Sequence, residues 1–239
     1  MTSDSIDAAK LNFRFLDFET DKAGHIFLVG VATTDGPINI SFLDQRFASL
    51  CEVTEFELVT PEFFLNECID WCAQESNALV GFSEHELHML NAMAEEFGRK
   101  IPSSCTYVNG ARVIKHWVNR SPVLKAKLNE LPPLGVNKDK FVKPKKWSLA
   151  SVSRLADYHC RSYGYGVTAR RFATGAKALE TKSYKELTRH RKAEITKAIR
   201  HNEDDVAALR VTFLKAIAES PKSLNARNAV YGFSSAADD

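Results

Sequence analysis

Residues 11–19 read Leu-Asn-Phe-Arg-Phe-Leu-Asp-Phe-Glu, and the interpretation of the whole chain starts from them. Four of the six residues before Asp17 are large and apolar or aromatic, which predicts a strand that enters the core. Because side chains alternate along a strand, Asp17 and Glu19 point to the same side of the sheet. Two carboxylates that close repel each other, and a divalent cation is the usual relief. The alternative is a strand that ends in a solvated polar turn at residues 20–22.

The composition is that of an ordinary globular protein. With 239 residues, 44% hydrophobic and 26% charged, the chain suits one large domain or two small ones. No apolar run approaches a membrane span, and the first residues lack the features of a signal peptide, so we expect a cytoplasmic protein without a membrane partner. The five cysteines form no CxxC pair and leave an odd thiol, which favours a reducing compartment over a disulfide framework.

Charge is divided unevenly along the chain. Residues 1–109 hold 6 basic and 18 acidic residues, a net charge of −12, whereas residues 110–200 hold 22 and 6, a net charge of +16. Such asymmetry suggests an acidic half that collects cations beside a basic half suited to a polyanion. The alternative is that the two halves neutralise each other.

The apolar runs predict an α/β fold with a mixed five-stranded sheet flanked by helices. The predicted strands are residues 11–19, 25–34, 38–43, 78–82 and 106–109. Asp35-Gly36 is a strong hairpin signal, so the first three strands are expected to form an antiparallel meander.

Helical spacing and capping residues predict the other elements. Helices are expected over residues 61–75 and 84–98, through Val113 and Trp117, from Ser148, and from a Ser183–Glu186 capping box to about residue 220. Residues 131–146 and 161–176 are expected to be irregular. The domain organisation predicted is a flexible tail over residues 1–10, one domain over 11–219, and a second flexible tail over 220–239.

The apolar stripe of the last helix is interrupted by polar residues. His201, Asn202 and Asp205 fill the turn between Ile199 and Val206, where the stripe should face the core. A carboxylate at the edge of a buried stripe is costly unless it is paired or bound to a cation. Alternatively, Asp205 pairs with an arginine and His201 is an ordinary surface histidine. Asp204 is expected to point away into solvent.

A further acid lies where the fourth predicted strand turns into its helix. Glu86 falls in the first helical turn, with Leu87 and Leu90 packing inward, so its carboxylate can lean back over the edge of the sheet. Glu84 is the competing candidate. Either residue could instead be an acid that complements the positive end of the helix dipole.

The order of these parts resembles the DEDD-type 3′-5′ exonuclease superfamily of the ribonuclease H-like fold. The closest resemblance is to its branch of predicted ribonuclease H-like exonucleases, whose last motif reads Tyr-Asn-x-x-Asp-Val, where this chain has His-Asn-Glu-Asp-Asp-Val at 201–206. The resemblance implies two Mg²⁺ or Mn²⁺ ions held by Asp17, Glu19, Glu86 and Asp205, with His201 as general base. Two positions depart from the family pattern, because Glu86 replaces an aspartate and His201 replaces a tyrosine.

The expected activity is two-metal hydrolysis of phosphodiester bonds, 3′ to 5′ on single-stranded ends of DNA or RNA. Basic side chains could follow the phosphates of the strand, namely Lys138, Lys140, Lys143, Lys145, Lys146, Arg170 and Arg171. The lysines could equally form a solvated loop. A rival hypothesis is a ribonuclease H-like module that binds nucleic acid with weak or no turnover, and a third is a domain whose charged halves bind a protein.

Overall fold

A mixed sheet with helices on both faces forms the framework of the computed structural model, which describes residues 11–21, 23–131, 147–161, 168–226 and 229–232. The strands are β1 (Asn12–Thr20), β2 (Ile26–Thr33), β3 (Ile38–Phe42), β4 (Glu57–Leu58), β5 (Asn77–Gly81), β6 (Thr106–Asn109) and β7 (Val230–Gly232). The helices are α1 (Ala48–Cys51), α2 (Pro61–Ala73), α3 (His85–Glu96), α4 (Gly110–Arg120), α5 (Pro122–Glu130), α6 (Leu149–Val152), α7 (Thr168–Leu179) and α8 (Arg189–Glu219). The α/β class is therefore confirmed.

The order of strands across the sheet is β4-β3-β2-β1-β5-β6-β7. β1, β2 and β3 pair antiparallel, as the hairpin signal predicted, whereas β5 and β6 run parallel to β1. The prediction of five strands is wrong, because β4 and β7 extend the two edges of the sheet. These added strands have two and three residues, too few to show an alternating pattern in the sequence.

Alternation along β1 decides which face carries the candidate site. Phe13 and Phe15 pack against Phe213 of α8, with ring centroids 5.0 and 5.6 Å away. Phe18 points to the opposite face, where its ring lies 5.7 Å from that of Phe64 in α2. Asp17 is separated from Phe13 and Phe15 by an even number of positions, so its side chain points to the same face of β1, toward α8.

The start of the long helix differs from the prediction. The capping box between Ser183 and Glu186 is present, but it opens a 3₁₀ turn over Tyr184–Glu186. α8 begins only at Arg189, where the hydroxyl of Thr188 accepts a hydrogen bond from the amide of Arg191 at 3.3 Å. A capping box marks a helical turn, and it does not specify how many turns follow.

Two segments expected to be irregular or flexible are ordered. Residues 168–176 belong to α7, because Phe172 and Ala176 are buried against the core. After α8, a 3₁₀ turn buries Leu224, and β7 pairs with β6, so the prediction of a flexible tail is wrong for residues 220–226 and 229–232. The predicted tail residues 1–10, 227–228 and 233–239, and the irregular segments 132–146 and 162–167, lie outside the described residues.

Two expectations from composition can be compared with the structure. All five cysteines are free thiols in this structure. Within the described ranges, no helix has both the length and the apolar character that crossing a membrane requires.

Candidate functional site

The candidate site begins at the end of β1, where α8 crosses the sheet. The side-chain amide of Asn202 donates hydrogen bonds to the Asp17 carboxylate at 2.6 Å and to the Asp17 carbonyl oxygen at 2.9 Å. Both partners are acceptors, which fixes the orientation of the amide. The hydrogen bonds join two segments 185 residues apart and hold the Asp17 side chain in one orientation.

A glycine in β2 allows α8 to approach this closely. Gly30 pairs with Asp17 across the sheet, and a Cβ at position 30 would lie 2.2 Å from the Asn202 side-chain oxygen and 2.8 Å from a methyl of Val206. Both distances are shorter than real Cβ contacts, so any side chain at position 30 would push α8 away from β1. Gly30 therefore provides the space that Asn202 occupies.

Asp205 and His201 follow on the same face of α8. The His201 Nε2 lies 3.7 Å from the Asp205 Oδ2, which is too long for a hydrogen bond. The two side chains are 20% and 24% exposed, so solvent and small ligands can reach both. The expectation that they share a helix face is confirmed, and no arginine pairs with Asp205 in the described part of the chain.

The structure distinguishes Glu86 from Glu84. Glu86 is 4% exposed, and its Oε2 accepts hydrogen bonds from the Ser83 amide at 3.1 Å and the Ser83 hydroxyl at 3.3 Å. The Tyr107 hydroxyl, which donates to the Ser83 carbonyl oxygen, lies 3.4 Å from the same Oε2. Glu84 instead accepts a hydrogen bond from Tyr231 at 2.7 Å and lies 3.8 Å from Arg112. Glu86 is thus the acid whose charge acts on the carboxylates of β1 and α8.

The four carboxyl groups resist ionisation, chiefly because they are buried. Burial, followed by repulsion from the other three carboxylates, raises the pKa of Asp17 well above its ordinary value, and the hydrogen bond from Asn202 opposes this shift. Burial and repulsion from Asp205 raise the pKa of Glu19 to about 8. Burial raises the pKa of Asp205 to about 6 although His201 favours its ionised form, and burial also raises the pKa of Glu86.

Such a cluster needs a source of positive charge in order to ionise at neutral pH. Among the described residues, no lysine or arginine forms an ion pair with any of the four carboxylates. The donor set of four carboxylates is the hard-oxygen chemistry that Mg²⁺ and Mn²⁺ prefer. The residues present therefore fit divalent ions by charge and by ligand type.

The positions of the carboxylate oxygens fit a bound metal ion less closely than their charges do. Within the described residues, no group of three or more histidine, cysteine or acidic side chains stands ready to hold a metal ion. Repulsion between carboxylates acts over several ångströms, whereas a metal–oxygen bond is only about 2.1 Å long. The acids are therefore near enough to repel one another, and side-chain rotation is needed to bring them onto a common ion.

Asp204 does not point into solvent, and that expectation is wrong. Its carboxylate accepts a hydrogen bond from the Tyr158 hydroxyl at 2.7 Å and another from the backbone amide of Arg161. The segment after α6 therefore packs along α8 beside Asp205. Nothing in the sequence pattern linked residues 158–161 to Asp204, because the contact spans 46 residues.

The predicted phosphate-binding residues are only partly covered by the structure. Arg170 is exposed on α7, while the Nε of Arg171 pairs with Glu194 at 2.7 Å and helps to pack α7 against α8. The remaining five residues, Lys138, Lys140, Lys143, Lys145 and Lys146, lie outside the described residues.

Sequence reasoning missed the residues that support the acids. Gly30 carried a usable signal, since an isolated glycine inside an apolar strand often marks a close backbone approach. Tyr107 carried no such signal, because an aromatic residue is ordinary in a buried strand such as β6. Comparison with models of known protein families gives no match for this chain, and comparison with curated proteins gives no significant match.

Proposed function

We propose that this chain is a metal-dependent nuclease of the ribonuclease H-like fold, related to the DEDD exonucleases, that hydrolyses phosphodiester bonds from the 3′ end of single-stranded DNA or RNA. One observation carries the proposal: Asn202 of α8 holds Asp17 of β1, and acids of β1, α3 and α8 lie near enough to this point to act on one another's ionisation. A core that contains such repulsion is unfavourable unless function requires it.

The proposed roles follow from the positions of the side chains. Asp17, Glu19, Glu86 and Asp205 would hold two Mg²⁺ or Mn²⁺ ions. When bound, such ions lower the pKa of an attacking water and stabilise the charge that develops on the departing 3′ oxygen. Asn202 keeps Asp17 oriented and favours its ionised form.

His201 is proposed as the general base. It is partly exposed and lies beside Asp205, so it can reach a water at the edge of the cluster. An imidazole takes up a proton near neutral pH, which suits the activation of water. In turn, His201 favours the ionised form of Asp205, whose Oδ2 lies 3.7 Å from the His201 Nε2.

The charge around the site supports a polyanionic substrate. Residues 168–200, which form α7 and the first third of α8, hold 10 basic and 3 acidic residues. Arg170, Lys177 and Arg200 are exposed there. Arg200 directly precedes His201 in α8, so a phosphate bound at Arg200 would lie near His201 and Asp205.

The test is incubation of the protein with 5′-labelled single-stranded DNA and RNA in Mn²⁺, Mg²⁺ or chelator. We expect a ladder of products shortened stepwise from the 3′ end in the presence of either ion and none in chelator. The Asp17→Ala/Asp205→Ala variant should be inactive. Equal degradation by that variant would refute the proposal.

A second candidate is a module that binds nucleic acid with little or no turnover. The observation in its favour is that no ready metal-binding group exists among the described residues, while Glu86 is already occupied by Ser83 and Tyr107. Salt-sensitive binding without degradation in Mn²⁺, unchanged by Asp17→Ala, would select this candidate over the nuclease.

A further inference from the structure

A small apolar cleft lies on the same face of the sheet as Asp17. It has a volume of about 220 Å³, and its apolar walls are Phe82, Ala111, Ile114, Trp147 and Val152. Sites for drug-sized molecules are usually larger, about 300 to 1,000 Å³. The cleft therefore suits one flat ring system rather than a larger ligand.

Two cations complete the rim of the cleft. Arg112 and Lys115 belong to α4 and are exposed, and the Lys115 Nζ lies 5.6 Å from the centre of the Trp147 ring. Among the described residues, Arg112 pairs with Glu84 alone, across a long, solvent-exposed contact of 3.8 Å, which leaves its guanidinium available. Aromatic walls beside two cations match a ligand that carries both a planar ring and a negative charge.

The walls of the cleft connect directly to the carboxylate cluster. Phe82 precedes Ser83, which binds Glu86, and the Phe82 carbonyl accepts a hydrogen bond from the Ala111 amide at 2.9 Å. Val152, the last residue of α6, also lines the cleft, and the chain continues from it to Tyr158, whose hydroxyl binds Asp204. The lining of the cleft thus includes a segment that leads to Glu86 and a segment that leads to the neighbour of Asp205.

We propose that this cleft binds one nucleotide unit of the substrate strand, with its base between Phe82 and Trp147 and its phosphate on Arg112 and Lys115. The inference rests on the proposed function, because it takes the ligand to be part of a nucleic-acid chain. Stacking of a base on an aromatic side chain favours binding and tolerates any base. The subsite therefore positions the strand beside the carboxylates without selecting its sequence.

The experiment is calorimetric titration with adenosine 5′-monophosphate in chelator, so that bound metal plays no part. We expect saturable binding of one nucleotide per chain that is weakened about tenfold or more by Trp147→Ala and by Lys115→Glu. Lys125→Glu on α5 makes the same change of charge at an exposed position outside the cleft and should leave binding within about twofold. Adenosine and inorganic phosphate should each bind more weakly than the monophosphate.

The outcomes separate this inference from the proposed function. Absence of saturable binding at millimolar nucleotide, or equal binding by Trp147→Ala and the unmodified chain, overturns the subsite. Binding with the expected variant pattern, in a protein that degrades no oligonucleotide in Mn²⁺, supports the subsite while the nuclease proposal fails. If the Trp147→Ala and Lys115→Glu variants degrade oligonucleotides at low concentration as fast as the unmodified chain, the subsite is overturned and the nuclease proposal stands.

Discussion

The side-chain amide of Asn202 donates two hydrogen bonds to Asp17, one to the carboxylate at 2.6 Å and one to the backbone carbonyl oxygen at 2.9 Å. These bonds connect α8 to β1 at the centre of the carboxylate cluster. The bond has a cost, since the Asn202 side-chain oxygen is buried without a hydrogen-bond partner among the described residues. A buried unpaired acceptor costs about 1–3 kcal/mol. The two hydrogen bonds to Asp17 are present although this oxygen stays unpaired.

Asn202→Ala should weaken the binding of Mn²⁺ by about tenfold, because residues that orient a ligand contribute about 10–100-fold to metal affinity. The free energy of unfolding should fall by about 1 kcal/mol with the loss of a buried hydrogen bond. Calorimetric titration and urea unfolding measure the two effects. Asn91→Ala, at an exposed position of α3, is the control and should change neither. Unchanged Mn²⁺ affinity in Asn202→Ala would show that Asp17 needs no anchor.

Gly30→Ala should destabilise the protein by about 1–3 kcal/mol, because the added methyl would overlap Asn202. In the double variant Gly30→Ala/Asn202→Ala much of this overlap disappears, so the two losses of stability should not add. Urea unfolding of the two single variants and the double variant gives the coupling. If the losses of stability of the two single variants simply add in the double variant, the proposed overlap between a side chain at position 30 and Asn202 is contradicted.

Glu86→Gln and Glu84→Gln form a matched pair that identifies the third acid. Glu86→Gln should reduce Mn²⁺-dependent cleavage by at least about 100-fold, since a ligand should contribute no less than a residue that merely orients one. It should also leave the metal-free protein as stable or more stable, because a repelling charge is removed while an oxygen remains to accept from Ser83.

Glu84→Gln should keep its hydrogen bond from Tyr231 and retain full cleavage. Rates of oligonucleotide cleavage and urea unfolding, measured on both variants, make the comparison. Equal loss of cleavage in the two variants would assign Glu84 a role that its contact with Tyr231 does not explain.

The metal-free protein should become less stable as the pH rises. Asp205 and Glu19 retain their protons up to pH about 6 and about 8 in the folded chain. In the unfolded chain they lose them near pH 4. Folding therefore takes up protons in this range, and the free energy of unfolding should fall as the pH rises from about 4 to about 8.

Urea unfolding in chelator at several pH values tests this dependence. Glu19→Gln should flatten the upper part of the profile, between pH about 6 and about 8. Mn²⁺ should restore stability at the alkaline end, because it stabilises the ionised carboxylates. A rise in stability across this range in chelator would be the opposite of the expected sign.

The sequence predicted the centre of the fold better than its edges. β1, β2 and β3 were predictable because long apolar runs and the Asp35-Gly36 turn leave few alternatives. α7 was not, since Gly175 within it and Gly164 and Gly166 just before it weaken the helical pattern of the sequence. The structure explains Gly175, because a Cβ there would lie 2.9 Å from Ile195.

The acids of the site were predictable, but their supports were not. Asp17, Glu19 and Asp205 stood out as acids at the ends or edges of apolar patterns. The contacts that hold them join residues far apart in the chain, such as Tyr107 with Glu86 and Asn202 with Asp17. Tertiary packing sets such contacts, and no local periodicity encodes them.

The most direct test of the central claim is anomalous X-ray scattering from crystals of the unmodified chain grown or soaked in Mn²⁺. If the four acids bind metal ions, anomalous peaks should lie within coordinating distance of the carboxylates of Asp17, Glu19, Glu86 and Asp205, with Glu86 turned away from Ser83. Anomalous density that is absent from this cluster, or found only on other surfaces of the protein, would contradict the account.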